Sequence, residues 1–106
     1  MTTKVTVEEV YVAVQMMINE ATEGKVCAMY NGDAWMIAKG DLFAVVYGRE
    51  AFNGVEVPMK NLRTKARVDV FVSDDAIELR TENGGTIATY KNIAVALMAA
   101  FKEIQK

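Results

Sequence analysis

The chain predicts an α+β domain: a largely antiparallel sheet of about five to six strands with an N-terminal and a C-terminal helix packed on one face. Three observations carry this expectation. Apolar residues recur at helical spacing at the two ends of the chain, short β-rich runs fill the middle, and Asn-Gly and Gly-Asp pairs punctuate those runs. A doubly wound parallel sheet would need helical periodicity between the strands, and none is present.

Thr6-Val7-Glu8-Glu9 fits a capping box, in which the Thr6 hydroxyl accepts from the Glu9 amide and the Glu9 carboxylate reaches back to the Thr6 amide. The helix it opens runs from about residue 7 to 22 and ends near Gly24, a residue suited to the left-handed conformation past a helix end. Val7, Val10, Tyr11, Val14, Met17, Ile18 and Ala21 share its core face. Three strands follow, at residues 26–30, 34–38 and 42–47, separated by Asn31-Gly32-Asp33 and Lys39-Gly40-Asp41.

Residues 49–66 are irregular by pattern. Phe52-Asn53-Gly54 reads as a turn, and Val55-Glu56-Val57 as a short edge strand that Pro58 stops. Clear alternation returns at Arg67, with Val68, Val70 and Val72 on one side and Arg67, Asp69 and Phe71 on the other. Ser73-Asp74-Asp75 turns the chain into a strand at 77–81, and Asn83-Gly84-Gly85 forms the hairpin to a last strand at 86–90. Asn92 caps a final helix from Ile93 towards Gln105, with Ile93, Leu97, Phe101 and Ile104 on its core side. The face of the sheet away from the helices carries Asp69, Glu78 and Arg80.

Composition narrows the function. At 106 residues, 52% of them hydrophobic and without a Ser/Gly linker, the chain reads as one domain over residues 1–106. No histidine occurs, so there is no Ser-His-Asp or Cys-His relay and no ordinary zinc site. The expectation is a protein that is not an enzyme and that uses no metal and no cofactor. Asp33, Asp41, Asp74 and Asp75 sit at turns, where a carboxylate bonds its own backbone far more often than it catalyses. Asn83-Gly84-Gly85 lacks the lysine and Ser/Thr of a phosphate loop. The lone Cys27 lies in an apolar run and reads as a buried thiol. With no basic-then-apolar leader and no apolar run near the ~18 residues that span a bilayer, the expected location is the cytoplasm.

Attention therefore moves to surfaces. On the first helix, Val12 and Met16 fall opposite Val14 and stack at i and i+4, ringed by Glu8, Glu9, Gln15, Asn19 and Glu20. An apolar spot rimmed by carboxylates suits a protein partner, although scattered apolar residues are normal on surfaces. The last helix is uncharged from Ile93 to Ala100, and Val95 and Ala99 point away from Leu97, which suggests a contact on more than one side. The leading expectation is a non-catalytic protein-binding module, such as an inhibitor, adaptor or accessory protein, with self-association as a homodimer among its forms. Its partner-binding residues would be Val12, Met16, Glu9, Glu20, Val95 and Ala99. The alternative is a nucleic-acid-binding module using Lys60, Arg63, Lys65 and Arg67, with Tyr47 or Phe52 as stacking groups. Against it, four basic residues at the entry to an edge strand also serve as a guard against sheet-to-sheet aggregation, and the net charge of the chain is −2.

Overall fold

The computed structural model describes residues 7–22, 27–31, 34–39, 42–51, 54–73 and 75–106. Two helices, α1 (Val7–Thr22) and α2 (Ile93–Glu103), bracket eight strand segments. In chain order these are β1 (Cys27–Asn31), β2 (Ala34–Lys39), β3 (Leu42–Tyr47), β4 (Arg49–Ala51), β5 (Gly54–Asn61), β6 (Arg67–Ser73), β7 (Ile77–Thr81) and β8 (Thr86–Tyr90). They form one antiparallel meander in the order β1-β2-β3-β5-β6-β7-β8, with β4 also paired to β5. The expected α+β architecture is thus present, with more strands than the pattern discloses.

The extra strands come from the segment around Pro58. The residues expected to form a short edge strand belong instead to β5, which continues through Pro58 to Asn61 and lies in the interior of the sheet. Its ladder to β6 is continuous from Gly54↔Ser73 to Lys60↔Arg67. On the other side, Val46 faces Met59 and Arg49 faces Glu56. β3 and β4 are therefore one line in one register, interrupted where the chain passes Pro58. A proline costs a strand a single N–H, and it is tolerated here because the missing donor coincides with that interruption.

Both helices lie on the same face. Val10, Val14, Met17 and Ile18 of α1 join Ala96, Leu97, Ala100, Phe101 and Ile104, at and just past α2, in one core. The sheet contributes Trp35 and Ile37, Ala44 and Val46, Val55, Val57 and Met59, Val68, Val70 and Val72, and Leu79. These positions share one face because each pairs across the ladder with another of the set or lies two residues along its strand. Helix α2 packs on β6, β7 and β8 and flanks α1. Asn92 caps it, its side chain accepting from the Val95 amide at 3.2 Å. Ile93 is only half-buried, and Ala96 and Ala100 take the central core positions of α2.

α1 is seated by its aromatic contact. The Tyr11 ring meets Trp35 edge-on at 5.0 Å, and its hydroxyl donates to the Gly48 carbonyl at 3.2 Å. A Cβ at position 48 would lie 2.7 Å from Tyr11 Cε1, so the absent side chain is what lets the ring sit down on the strand. The described residues span 44 × 25 × 21 Å, and the shortest dimension holds one helix layer on one sheet. Thr6, Gly24, Gly32, Asp33, Gly40, Asp41, Phe52, Asn53 and Asp74, on which the expected caps and turns rest, lie outside the described residues, as does the side chain of Cys27.

Candidate interaction surfaces

Helix α1 presents its predicted outer stripe. Val12 and Met16 are each 61% exposed, one turn apart on a helix whose opposite side is fully buried. Glu8, Glu9, Asn19 and Glu20 are exposed around them. Gln15 does not serve only as rim: its Oε1 accepts from Trp35 Nε1 at 3.2 Å and its amide donates to Asn19 Oδ1 at 3.1 Å. α1 carries no lysine or arginine from Val7 to Thr22, so the patch is apolar at its centre and acidic at its edge.

Of the two α2 residues expected to face outward, Val95 is 54% exposed, whereas Ala99 is half-buried and packs against the core. α1 and α2 are in contact, so the side of α2 away from the sheet does not all face solvent. Ala99 therefore adds little to any outer surface.

Lys60, Arg63, Lys65 and Arg67 are brought together at one end of the β5–β6 hairpin. Lys60 and Arg67 are direct cross-strand partners on the open face of the sheet, and Arg63 and Lys65 are exposed in the turn between them. The expected guard of an edge strand is not their setting, because β5 and β6 both have strands on either side. The turn is firmly held. Asn61, 5% exposed, donates from Nδ2 to the Ile104 carbonyl at 2.9 Å, while its Oδ1 accepts from the amides of Arg63 (3.0 Å) and Thr64 (3.3 Å). Lys65 adopts a positive φ of 68°, a conformation that costs a non-glycine residue about 1–2 kcal/mol and that the surrounding turn enforces.

The rest of the open face divides in two. Over β5–β8 it is a mesh of ion pairs. Arg49 Nε donates to Glu56 at 2.7 Å, Arg67 reaches Asp69 at 3.3 Å, and Arg80 binds Glu78 at 2.8 Å while stacking on Phe71 at 4.3 Å. Asp69 is 8% exposed, and its burial raises the carboxyl above its ordinary pKa against the opposing pull of Arg67. Glu78 moves the other way, lowered first by its hydrogen bond from Arg80. Over β2 and β3 the same face is apolar, with Ala34, Met36, Ala38, Phe43, Val45 and Tyr47. Tyr47, a predicted stacking residue, lies on this face; Phe52 is outside the described residues. Phe43, 40% exposed, went unmarked in the sequence because Leu42–Tyr47 is apolar on both faces of its strand and reads as fully buried.

Among the described residues no group of His, Cys, Asp or Glu side chains is placed to hold a metal ion, and no buried side-chain polar atom lacks a hydrogen-bond partner. No helix among them is long and apolar enough to cross a membrane. No known family model, curated protein or solved structure matches the chain. What the arrangement offers is contact surface: a small compact domain without catalytic, metal or cofactor signatures among the described residues, consistent with a non-catalytic interaction module.

Proposed function

We propose that this chain is a non-catalytic protein-binding module, of the inhibitor, adaptor or accessory kind, whose contact is centred on the outer face of α1. The observation that carries the reading is the exposed pair Val12 and Met16 on a helix already saturated on its other side. Two side chains make a small area, so they act as anchors within a larger contact rather than as the whole of it. Methionine is enriched at such surfaces because its thioether adapts to the partner's shape.

The acidic rim selects the partner. A two-fold pairing of α1 with itself, centred between Val12 and Met16, would bring Glu8 of one copy towards Glu20 of the other, with no base on either helix to offset them. That arrangement disfavours a homodimer built on this face. A different protein presenting an apolar cleft edged by lysine or arginine meets both features at once, and its association rate falls as salt rises.

The experiment is affinity capture from nuclease-treated native extract with the wild-type chain and the Val12→Glu/Met16→Glu variant. A partner held by the wild type, released by the variant and bound more weakly at higher salt supports the reading. The same partners on both chains, with both chains folded to the same melting temperature, overturns it. Both side chains being exposed, the substitutions are expected to alter stability by no more than about 0.5 kcal/mol.

A further inference from the structure

The open face of the sheet joins two features that are far apart in sequence: exposed aromatic surface on β3 and a basic hairpin end on β5–β6. Val45 pairs with Lys60, and Lys60 with Arg67, so a straight path across the strands runs from the apolar row Phe43, Val45, Tyr47 onto two cations. Phe43 lies beside the turn itself, its carbonyl accepting from the Leu62 amide at 2.7 Å, one residue from Arg63. Other cations on this face are neutralised, Arg49 by Glu56 and Arg80 by Glu78. Among the described residues no carboxylate forms a salt bridge with Lys60, Arg63 or Lys65. Two like charges directly opposed in the interior of a sheet destabilise it slightly and are not needed to protect an edge.

We propose that this face binds single-stranded nucleic acid, with a base stacked on Phe43 and the flanking phosphates held by Lys60, Arg63 and Arg67. Charge complementarity names the occupant. A chain of phosphates satisfies the unpaired Lys60 and Arg63 and draws on Arg67, which shares its charge with Asp69, and a base satisfies an exposed ring next to them. The open sheet face leaves a single strand free to lie across it, whereas a duplex keeps its base faces stacked inside and has none to offer Phe43. The chain's overall charge of −2 does not oppose this. The acids of α1 sit on the other layer of the domain, and at physiological salt a charge is screened beyond about 8 Å. Asn61, by fixing the turn between the two strands to the end of α2, pre-orients Arg63 and so reduces what binding must order.

The test is fluorescence anisotropy of the purified chain with labelled oligothymidylate and oligouridylate of about 15 nucleotides, and with a duplex of the same length, starting at low salt. Expected are saturable binding of the single strands and a logarithmic salt slope of about −2 to −3 for three or four phosphates. Phe43→Ala is expected to weaken binding by about tenfold while Phe43→Trp retains it. Lys60→Glu/Arg63→Glu should abolish binding, and Asp69→Asn, which frees Arg67 from its carboxylate, should tighten it. Absence of binding at the lowest salt overturns the proposal. So does equal affinity for the duplex, or affinity unchanged in folded Phe43→Ala, since either would mean unselective attraction to charge. Self-association of the wild type that Phe43→Ala dissolves would also overturn it, by assigning the face to a second copy. None of these outcomes bears on Val12 and Met16, which lie on the other layer.

Discussion

Tyr11 and Gly48 show how much of the architecture hangs on single positions. The ring can approach the strand only because position 48 has no Cβ, and the hydroxyl then secures the approach through the Gly48 carbonyl. Gly48→Ala is expected to lose about 1–3 kcal/mol, the usual cost of forcing an atom into a packed contact, read as a lower midpoint in urea unfolding. Tyr11→Phe keeps the ring and loses only the hydrogen bond, so it should cost about 1 kcal/mol. Asp69 offers a second test at this scale. Because burial raises its carboxyl pKa, the folded state holds that proton more tightly than the unfolded chain does. Its contribution to stability is complete below the ordinary carboxylate range and is lost as pH rises through the raised folded value. Asp69→Asn therefore compares best with the wild type at neutral pH, and its relative standing should fall as pH drops towards about 4. Melting temperatures of the two chains across that range measure it. Glu78 has the opposite sign, since its lowered carboxyl withdraws stability on acidification, but it is exposed enough for the effect to be small.

Among the elements, those with a clean periodicity or with turn residues at their ends were legible in the sequence. α1, β3, β7 and β8 have the boundaries that apolar spacing and turn residues predict, and Asn92 caps α2 as expected. β5 was not legible, because a proline inside a strand pattern argues for a stop. Only the neighbouring strand's interruption opposite Pro58 makes it admissible in the interior, and that is a tertiary fact. The outward pair on α1 could be read from the helical angle alone, whereas the half-burial of Ala99 against the core could not, since the helical angle does not say what packs beside the helix. Phe43 was hidden because Leu42–Tyr47 shows no alternation: both faces of the strand are apolar, so neither is marked as the one the helices cover. The β5–β6 hairpin carries its own prediction. Asn61→Ala would strand the Ile104 carbonyl and the amides of Arg63 and Thr64, so a loss of about 1–3 kcal/mol is expected in chemical denaturation. Asn61→Asp retains the acceptor for the turn while removing the donor to α2, and should fall between the two.

At the scale of the whole molecule, two layers give two unlike surfaces. The helix layer presents an acid-rimmed apolar pair, and the open sheet face presents aromatic and basic residues side by side. No metal-holding cluster of His, Cys, Asp or Glu occurs among the described residues, which is consistent with a non-catalytic interaction module. The surfaces are separable by mutation, because Val12→Glu/Met16→Glu and Lys60→Glu/Arg63→Glu alter opposite sides and are expected to be additive in stability. The α1 contact is tested most directly by placing a photo-crosslinking amino acid at position 16 in the native cell, with the same group at the exposed position 102 as a control. The expected result is a discrete adduct from position 16 alone, heavier than the 11.7 kDa chain by the mass of a second protein, joined through a segment containing lysine or arginine. An unmodified chain at position 16, or the same adduct from both positions, would contradict a protein contact on the outer face of α1.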